Sequence, residues 1–385
     1  MLNNLHNIDW GSFGNHIYVQ HFARDIPVYI LQLQSDDAEM HEEALTFLFG
    51  SGQEAGDIYP ATSFILPFII ELIQDEKTSY KDDLFFAMLN VLNVAAEGTP
   101  TSIAAMRLRV SVYNVFKQSL SVLLRLMEEK TESTRECVIE LLGLMTDDAE
   151  IIIPKLMSQF LMETSVNIQC IILGSLKLLF RALPRHAKRQ DGCILFLNNI
   201  IEIHSSQEVR LSAAKASVEL LWVVNPQYDD LSPHVAKLLT ESFLTIQHLS
   251  EDVTNIFYQS QSLLYDLSRL EPEHLFRLLE HPALTDIQLH LVGRSLLYRA
   301  FQMHSDVYIH WSYMPLHYQS GLYYQVTGRP TPLRTLTPLQ QRVCQTILLV
   351  DRIWRMPTNM FSFFFGLPDT QHQLRKFVEQ AKKSS

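Results

Sequence analysis

Ser205-Ser206-Gln207-Glu208-Val209-Arg210-Leu211-Ser212-Ala213-Ala214-Lys215-Ala216-Ser217-Val218-Glu219-Leu220-Leu221-Trp222 decides how this chain folds. It opens with capping-box spacing, Ser205 to Glu208. There a hydroxyl accepts from the third helical N–H, and the Glu reaches back to the cap's own N–H. From Val209 onward, Leu211, Ala213, Ala214, Ala216, Val218, Leu220, Leu221 and Trp222 fill a helical face at near-3.6 spacing. The alanines let a second helix come close. The same phrase (turn, small polar cap, apolar residue, stripe with small residues) begins near Met40, Leu84, Thr134, Ile168, Val209, Val253 and Ile287. The separations are 44, 50, 34, 41, 44 and 34 residues, within or near the period of stacked helical hairpins. A single hairpin cannot bury its own apolar face, so neighbours must stack into one long core.

Helix starts are marked repeatedly elsewhere. Ser133-Thr134-Arg135-Glu136, Thr285-Asp286-Ile287-Gln288 and Thr337-Pro338-Leu339-Gln340 have box spacing, and Asp36-Asp37-Ala38-Glu39 is a carboxylate version. Pro233 and Pro338 follow a cap directly, where the missing N–H is harmless. Partner helices are predicted over 61–73, 115–127, 151–162, 194–203, 233–246 and 272–279, joined by short loops. The expected fold is all-α: a right-handed α-α superhelix of about seven hairpins. Residues 25–304 would be the repeats, between atypical ends. Residues 1–24, with Asp9-Trp10-Gly11-Ser12-Phe13-Gly14, read as an N-terminal cap, and 338–385 as C-terminal capping helices over 338–354 and 370–382. Between them, 305–337 is an irregular insertion rich in aromatics, Pro and Gly, and the Phe361–Phe365 patch must be buried or bound.

Composition excludes several classes. Only 13 glycines in 385 residues, with few alternating β-branched runs, disfavour sheets and phosphate-cradling loops. Four cysteines, Cys137, Cys170, Cys193 and Cys344, lie 33, 23 and 151 residues apart, so no C-x-x-C suggests zinc or redox chemistry. Cys137 and Cys170 occupy matching parts of successive repeats and are expected to be core thiols in a reducing compartment. There is no basic, apolar leader and no apolar run of about 18 residues, so the chain reads as soluble and cytoplasmic. Residues 1–100 hold 15 Asp/Glu against Arg24, Lys77 and Lys81, a net −12, while the remainder is near neutral. Phosphates would be repelled from that end; a basic partner would be drawn to it. A plain solvated face is the alternative.

Val209-Arg210-x-x-Ala213 resembles the opening of the second helix of a HEAT repeat. Thr134-Arg135-x-x-Val138, Met40-His41-x-x-Ala44 and Ile168-Gln169-x-x-Ile172 resemble it more loosely. Residues 25–72, with Ile26-Pro27, Asp36-Asp37, Glu43-Ala44-Leu45 and Tyr59-Pro60-Ala61-Thr62, are similar to bacterial HEAT-repeat proteins of undefined activity. So is the end, with Leu336-Thr337-Pro338-Leu339-Gln340 and Gly366-Leu367-Pro368. The resemblance implies an α-solenoid without an assigned reaction. Several repeats lack the basic second residue.

Candidate chemistry is sparse. No P-loop, dinucleotide fingerprint, H-E-x-x-H or G-x-S-x-G occurs, so no cofactor and no enzyme activity are implied. His304, Asp306 and His310, with His317, carry metal-ligand chemistry, but their spacing shares no helix face; surface histidines are the alternative, and no metal site is assigned. His274 and His281 beside Glu271, Glu273 and Glu280 form a weaker cluster. Arg135 and Arg210 read either as a structural ladder pairing with the adjoining hairpin or as an inner stripe for an anionic ligand. Arg185, Lys188 and Arg189 are the candidate anion-binding residues of a basic loop around Pro184. Trp311, Tyr313, Tyr318, Tyr323 and Tyr324 are the candidate partner-binding residues, and a plug sealing the last repeat is the competing role. The expected function is a non-catalytic scaffold that holds a partner protein. HEAT-type nucleic-acid binding is the alternative, weakened by the acidic first hundred residues, and a metal-dependent enzyme or enzyme subunit is a third.

Overall fold

The computed structural model describes residues 2, 4–13, 23–50, 58–96, 103–129, 131–183, 190–224, 233–245, 267, 270–301, 336–355, 367–368 and 370–384. Among these, helices and turns account for all regular structure. The chain divides into two compact units, one of Met1–Ile200 with His204–Val224, the other of Ile201–Ile203 with Asn225–Ser385.

The first unit is a ladder of helices α1 Ile26–Gln32, α2 Ala38–Phe49, α3 Thr62–Gln74, α4 Lys81–Ala96, α5 Ile103–Gln118, α6 Leu120–Leu126, α7 Glu132–Leu144, α8 Ala149–Met162, α9 Val166–Ala182, α10 Gln190–Ile203 and α11 Gln207–Val224. The second helix of each hairpin packs on the next in strict chain order: α2 on α4, α4 on α7, α7 on α9, α9 on α11. First helices pack in the same order at the start of the unit, α1 on α3 and α3 on α5. This is an α-α solenoid arrangement of HEAT-like hairpins.

The burial pattern explains the stacking. On α9, Ile168, Ile172, Leu173, Leu176, Leu179 and Phe180 are fully buried at helical spacing, wedged between α7 and α11. Each contributes about 1.5–3 kcal/mol of transfer free energy before ordering entropy is subtracted. Close approach is concentrated at Gly143 of α7. A Cβ there would lie 2.7 Å from the Cβ of Ser175 on α9, whose hydroxyl donates to the Ile139 carbonyl at 2.9 Å.

Predicted helix starts meet the structure in two ways. Thr285 and Thr337 form their boxes with Gln288 and Gln340 as expected. Three others shift by one or two residues. Arg135 N–H bonds the Thr131 carbonyl, closing the first turn of α7 ahead of Ser133. Ser206, not Ser205, caps α11, and its N–H goes to His204 Nδ1 at 3.1 Å, the position a box glutamate would fill. Asp37 caps α2 by accepting from the Glu39 and Met40 N–H groups, while Asp36 accepts from the Ser79 hydroxyl before α4. The predicted helix over 115–127 is in fact two helices, broken at Ser119 between α5 and α6.

At the N-terminus, the 3₁₀ turn Trp10–Phe13 lays its aromatics on α3. Trp10 donates to the Leu5 carbonyl at 2.8 Å and approaches Phe68, and Phe13 approaches Phe64 at 4.7 Å between ring centroids.

The second unit contains α12 Pro233–Thr245, α13 Pro272–Leu279, α14 Asp286–Phe301, α15 Pro338–Leu349, a 3₁₀ turn Asp351–Arg355 and α16 Gln371–Ser384. α13 packs on α14, α14 on α15 and on the turn, and α15 on α16. Both box glutamines also staple hairpins together. Gln288 donates to the Phe243 carbonyl at the end of α12 at 2.8 Å, and Gln340 to the Ala300 carbonyl of α14 at 3.1 Å. Residues 305–335 of the insertion, the 361–365 patch and residues 253–266 lie outside the described residues.

Candidate protein-interaction surface

Each of α2, α4, α7 and α9 buries one face against its neighbours and leaves the opposite side at least partly open, whereas on α11 no described residue after Glu208 is exposed. On α2 the open stripe is Glu39, Glu42, Glu43 and Thr46; on α4 it runs through exposed Asp82 and Phe86 to half-buried Asn90; on α7 it continues as the half-buried row Ser133, Glu136, Cys137 and Glu140. These positions recur every three or four residues, so each set forms a single row along its helix. Phe86 stands out because it is 61% exposed among polar neighbours.

The electrostatics of this face are those of crowded carboxylates. Burial, then repulsion from Glu136, pushes the Glu140 carboxyl above its ordinary range. Burial together with Asp82, Glu140 and Glu136 pushes the Cys137 thiol up to about 11. Cys137 and Cys170 are therefore not core thiols: both sit half-buried where consecutive second helices meet, and only Cys193 and Cys344 are buried. Their raised pKa values keep the thiols protonated and poorly nucleophilic.

Arg135 takes the ladder role. Its guanidinium bonds Glu163, 3.0 Å from Nε to carboxylate, and the Glu129 carbonyl, spanning from α7 to the turn after α8. Burial alone would raise Glu163, but the N–H groups of Ser165 and Thr164 and the Arg135 guanidinium outweigh it and hold the carboxyl below its ordinary range. Arg135 is thereby committed to structure.

In the second unit, Glu273 is gripped through two hydrogen bonds by Arg342, which also stacks over the Phe276 ring at 4.0 Å. That removes Glu273 from the weak His274/His281 cluster as a free ligand. Among the described residues, no three His, Cys, Asp or Glu side chains gather where they could hold a metal ion. Among them, too, no helix is long and apolar enough to cross a membrane.

The aromatic candidates Trp311, Tyr313, Tyr318, Tyr323 and Tyr324, the basic candidates Arg185, Lys188 and Arg189, and the group His304, Asp306, His310 and His317 all lie outside the described residues. Sequence reasoning noted the acidic first hundred residues but missed the row they share with α7. The signal was present in the i, i+3, i+4 and i+7 spacing of Ser133, Glu136, Cys137 and Glu140.

No protein-family model matches the chain, and no curated protein matches it. Among solved structures, a crystal structure of importin beta is similar at 12% identity and a TM-score of 0.39, over 92% of this chain and 60% of that one. The chain thus spans about three fifths of the length of that protein.

Proposed function

We propose that this chain is a non-catalytic scaffold holding a partner protein on the open side of its stacked second helices. One observation carries the reading: α2, α4, α7 and α9 pack in chain order, and each leaves a row of exposed or half-buried residues along one side. Rigid rows of this kind offer extended docking surface without needing a cleft. Trp311, Tyr313, Tyr318, Tyr323 and Tyr324 are proposed as additional contacts, because Tyr and Trp supply large contact area with little rotamer entropy. Affinity capture with the full chain, followed by reconstitution with the purified partner, tests this. A stoichiometric complex is expected, weakened by Glu136→Lys on the open face or by Trp311→Ala with Tyr313→Ala. A chain that yields no reconstitutable complex, or a complex indifferent to both variants, contradicts it.

A further inference from the structure

This inference rests on the scaffold reading and names the chemistry of the partner. We propose that the α2–α4–α7 part of the open face docks an extended Lys/Arg-rich segment of a partner protein, with Phe86 as the anchor. Four observations converge on it. The row carries carboxylates on all three helices, and among the described residues no Lys or Arg forms an ion pair with Glu42, Asp82, Asp83, Glu136 or Glu140. His41, with its side chain only 2% exposed, aims Nε2 at Asp83 from beneath, yet at 3.8 Å it makes no hydrogen bond, and neither ring nitrogen has a hydrogen-bond partner. Asp83, with its side chain 56% exposed, keeps its carboxylate open to an incoming cation. Phe86, one turn after Asp82, offers an aromatic face to solvent beside these charges. A Lys or Arg stem can lie along that ring while its head reaches the carboxylates, a pairing that an acidic peptide or a phosphate chain cannot make. Finally, the helix spacing sets a register. Packed axes lie about 8–10 Å apart, and one turn of a polyproline II segment is three residues and spans about 9 Å, so cations at every third position stay on one side and meet successive helices.

The probe is a fluorescent twelve-residue peptide of four Arg-Ser-Ser repeats, titrated against the full chain at low and physiological salt by anisotropy. A peptide of the same composition with its arginines contiguous serves as the register control. The repeat peptide should bind more tightly than the contiguous one, and binding should weaken as salt rises. Glu136→Gln with Glu140→Gln should weaken it about tenfold, and Phe86→Ala about threefold. Glu128→Gln with Glu129→Gln removes the same charge elsewhere and should change it less than about twofold. Melting curves of each variant check that the fold persists. Equal losses in both double variants would show a net-charge effect and overturn the proposal, as would no binding at low salt. A dimer abolished by the face variant would assign the face to a second copy and overturn it too. If a reconstituted partner binds undiminished to the face variant, the scaffold reading stands and this assignment falls.

Discussion

Replacing Gly143 by Ala should destabilise the protein, although Gly→Ala within a helix ordinarily gains about 1 kcal/mol through propensity. The added Cβ would sit 2.7 Å from both Cβ and Oγ of Ser175 and 3.0 Å from its Cα. Carbon contacts are comfortable at about 3.5–4.0 Å, so α9 must retreat by about 1 Å. No rotamer change relieves a clash with a backbone atom. Overpacking of this kind costs about 1–3 kcal/mol, and the involvement of Cα puts this site at the upper end. Subtracting the propensity gain leaves a net loss of about 2 kcal/mol, or about 4–8 °C in Tm for a unit of this size. Gly174, on the same pair of helices, is the matched control, since a Cβ there meets nothing within 4 Å. Gly174→Ala should therefore gain about 1 kcal/mol. Urea titrations read by circular dichroism measure both, and adding Ser175→Gly to Gly143→Ala should recover part of the loss. If Gly143→Ala stabilises as much as Gly174→Ala, α7 and α9 are not in contact there and the stacking argument fails.

Other outcomes follow from the same packing. Gln288→Glu keeps an acceptor for the Thr285 N–H but turns a carboxylate oxygen toward the Phe243 carbonyl, so it should destabilise by about 1–3 kcal/mol in chemical denaturation; a neutral result would mean the staple carries no energy. Burial, then the Arg294 charge, lowers the His290 pKa from 6.5 to about 3, against the pull of the Ile353 backbone. Because the folded value lies below the unfolded one, its contribution is complete above pH 6.5 and is lost on acidification toward 3 at up to about 1.4 kcal/mol per pH unit. Comparing His290→Leu with wild type across that window should remove this slope, and parallel slopes would refute the assignment. Glu163, held below its ordinary 4.5, behaves in the same direction at lower pH: its contribution is present above 4.5 and lost as pH falls through the depressed folded value. The stability difference between wild type and Glu163→Gln should narrow on acidification, and a constant difference would argue against the Arg135–Glu163 ladder.

Much of the fold can be read from local chemistry because its signals are local. Thr285-x-x-Gln288 and Thr337-x-x-Gln340 announce their helices from four residues each, and the stripe from Val209 identifies a face buried on both flanks. Where the reading slipped, a partner outside the four-residue cap pattern decided the outcome. Ser206 displaced Ser205 because His204 offered its ring nitrogen to the cap N–H. Asp36 lost the capping role to Asp37 while reaching across 43 residues to Ser79. The glutamine staples to Phe243 and Ala300 follow from how hairpins nest, which no four-residue window contains. The open face was half visible: its acidity showed in the charge of residues 1–100, but its continuation onto Glu136 and Glu140 depends on α4 lying against α7. The thiols illustrate the same limit. Matching repeat positions implied equal environments for Cys137 and Cys170, and both are indeed half-buried, but at the helix junction rather than in the core.

The chain-order stack is tested most directly by pairwise spin-label distances on the exposed residues Asp82, Asn167 and Glu208, in a background with the four cysteines replaced. α9 lies two steps from α4 and α11 three, so at about 8–10 Å per step the Asp82–Asn167 distance should be about 20 Å and Asp82–Glu208 about 30 Å, before label length is added. An Asp82–Glu208 distance equal to or shorter than Asp82–Asn167 would mean the helices close into a bundle instead of stacking in order.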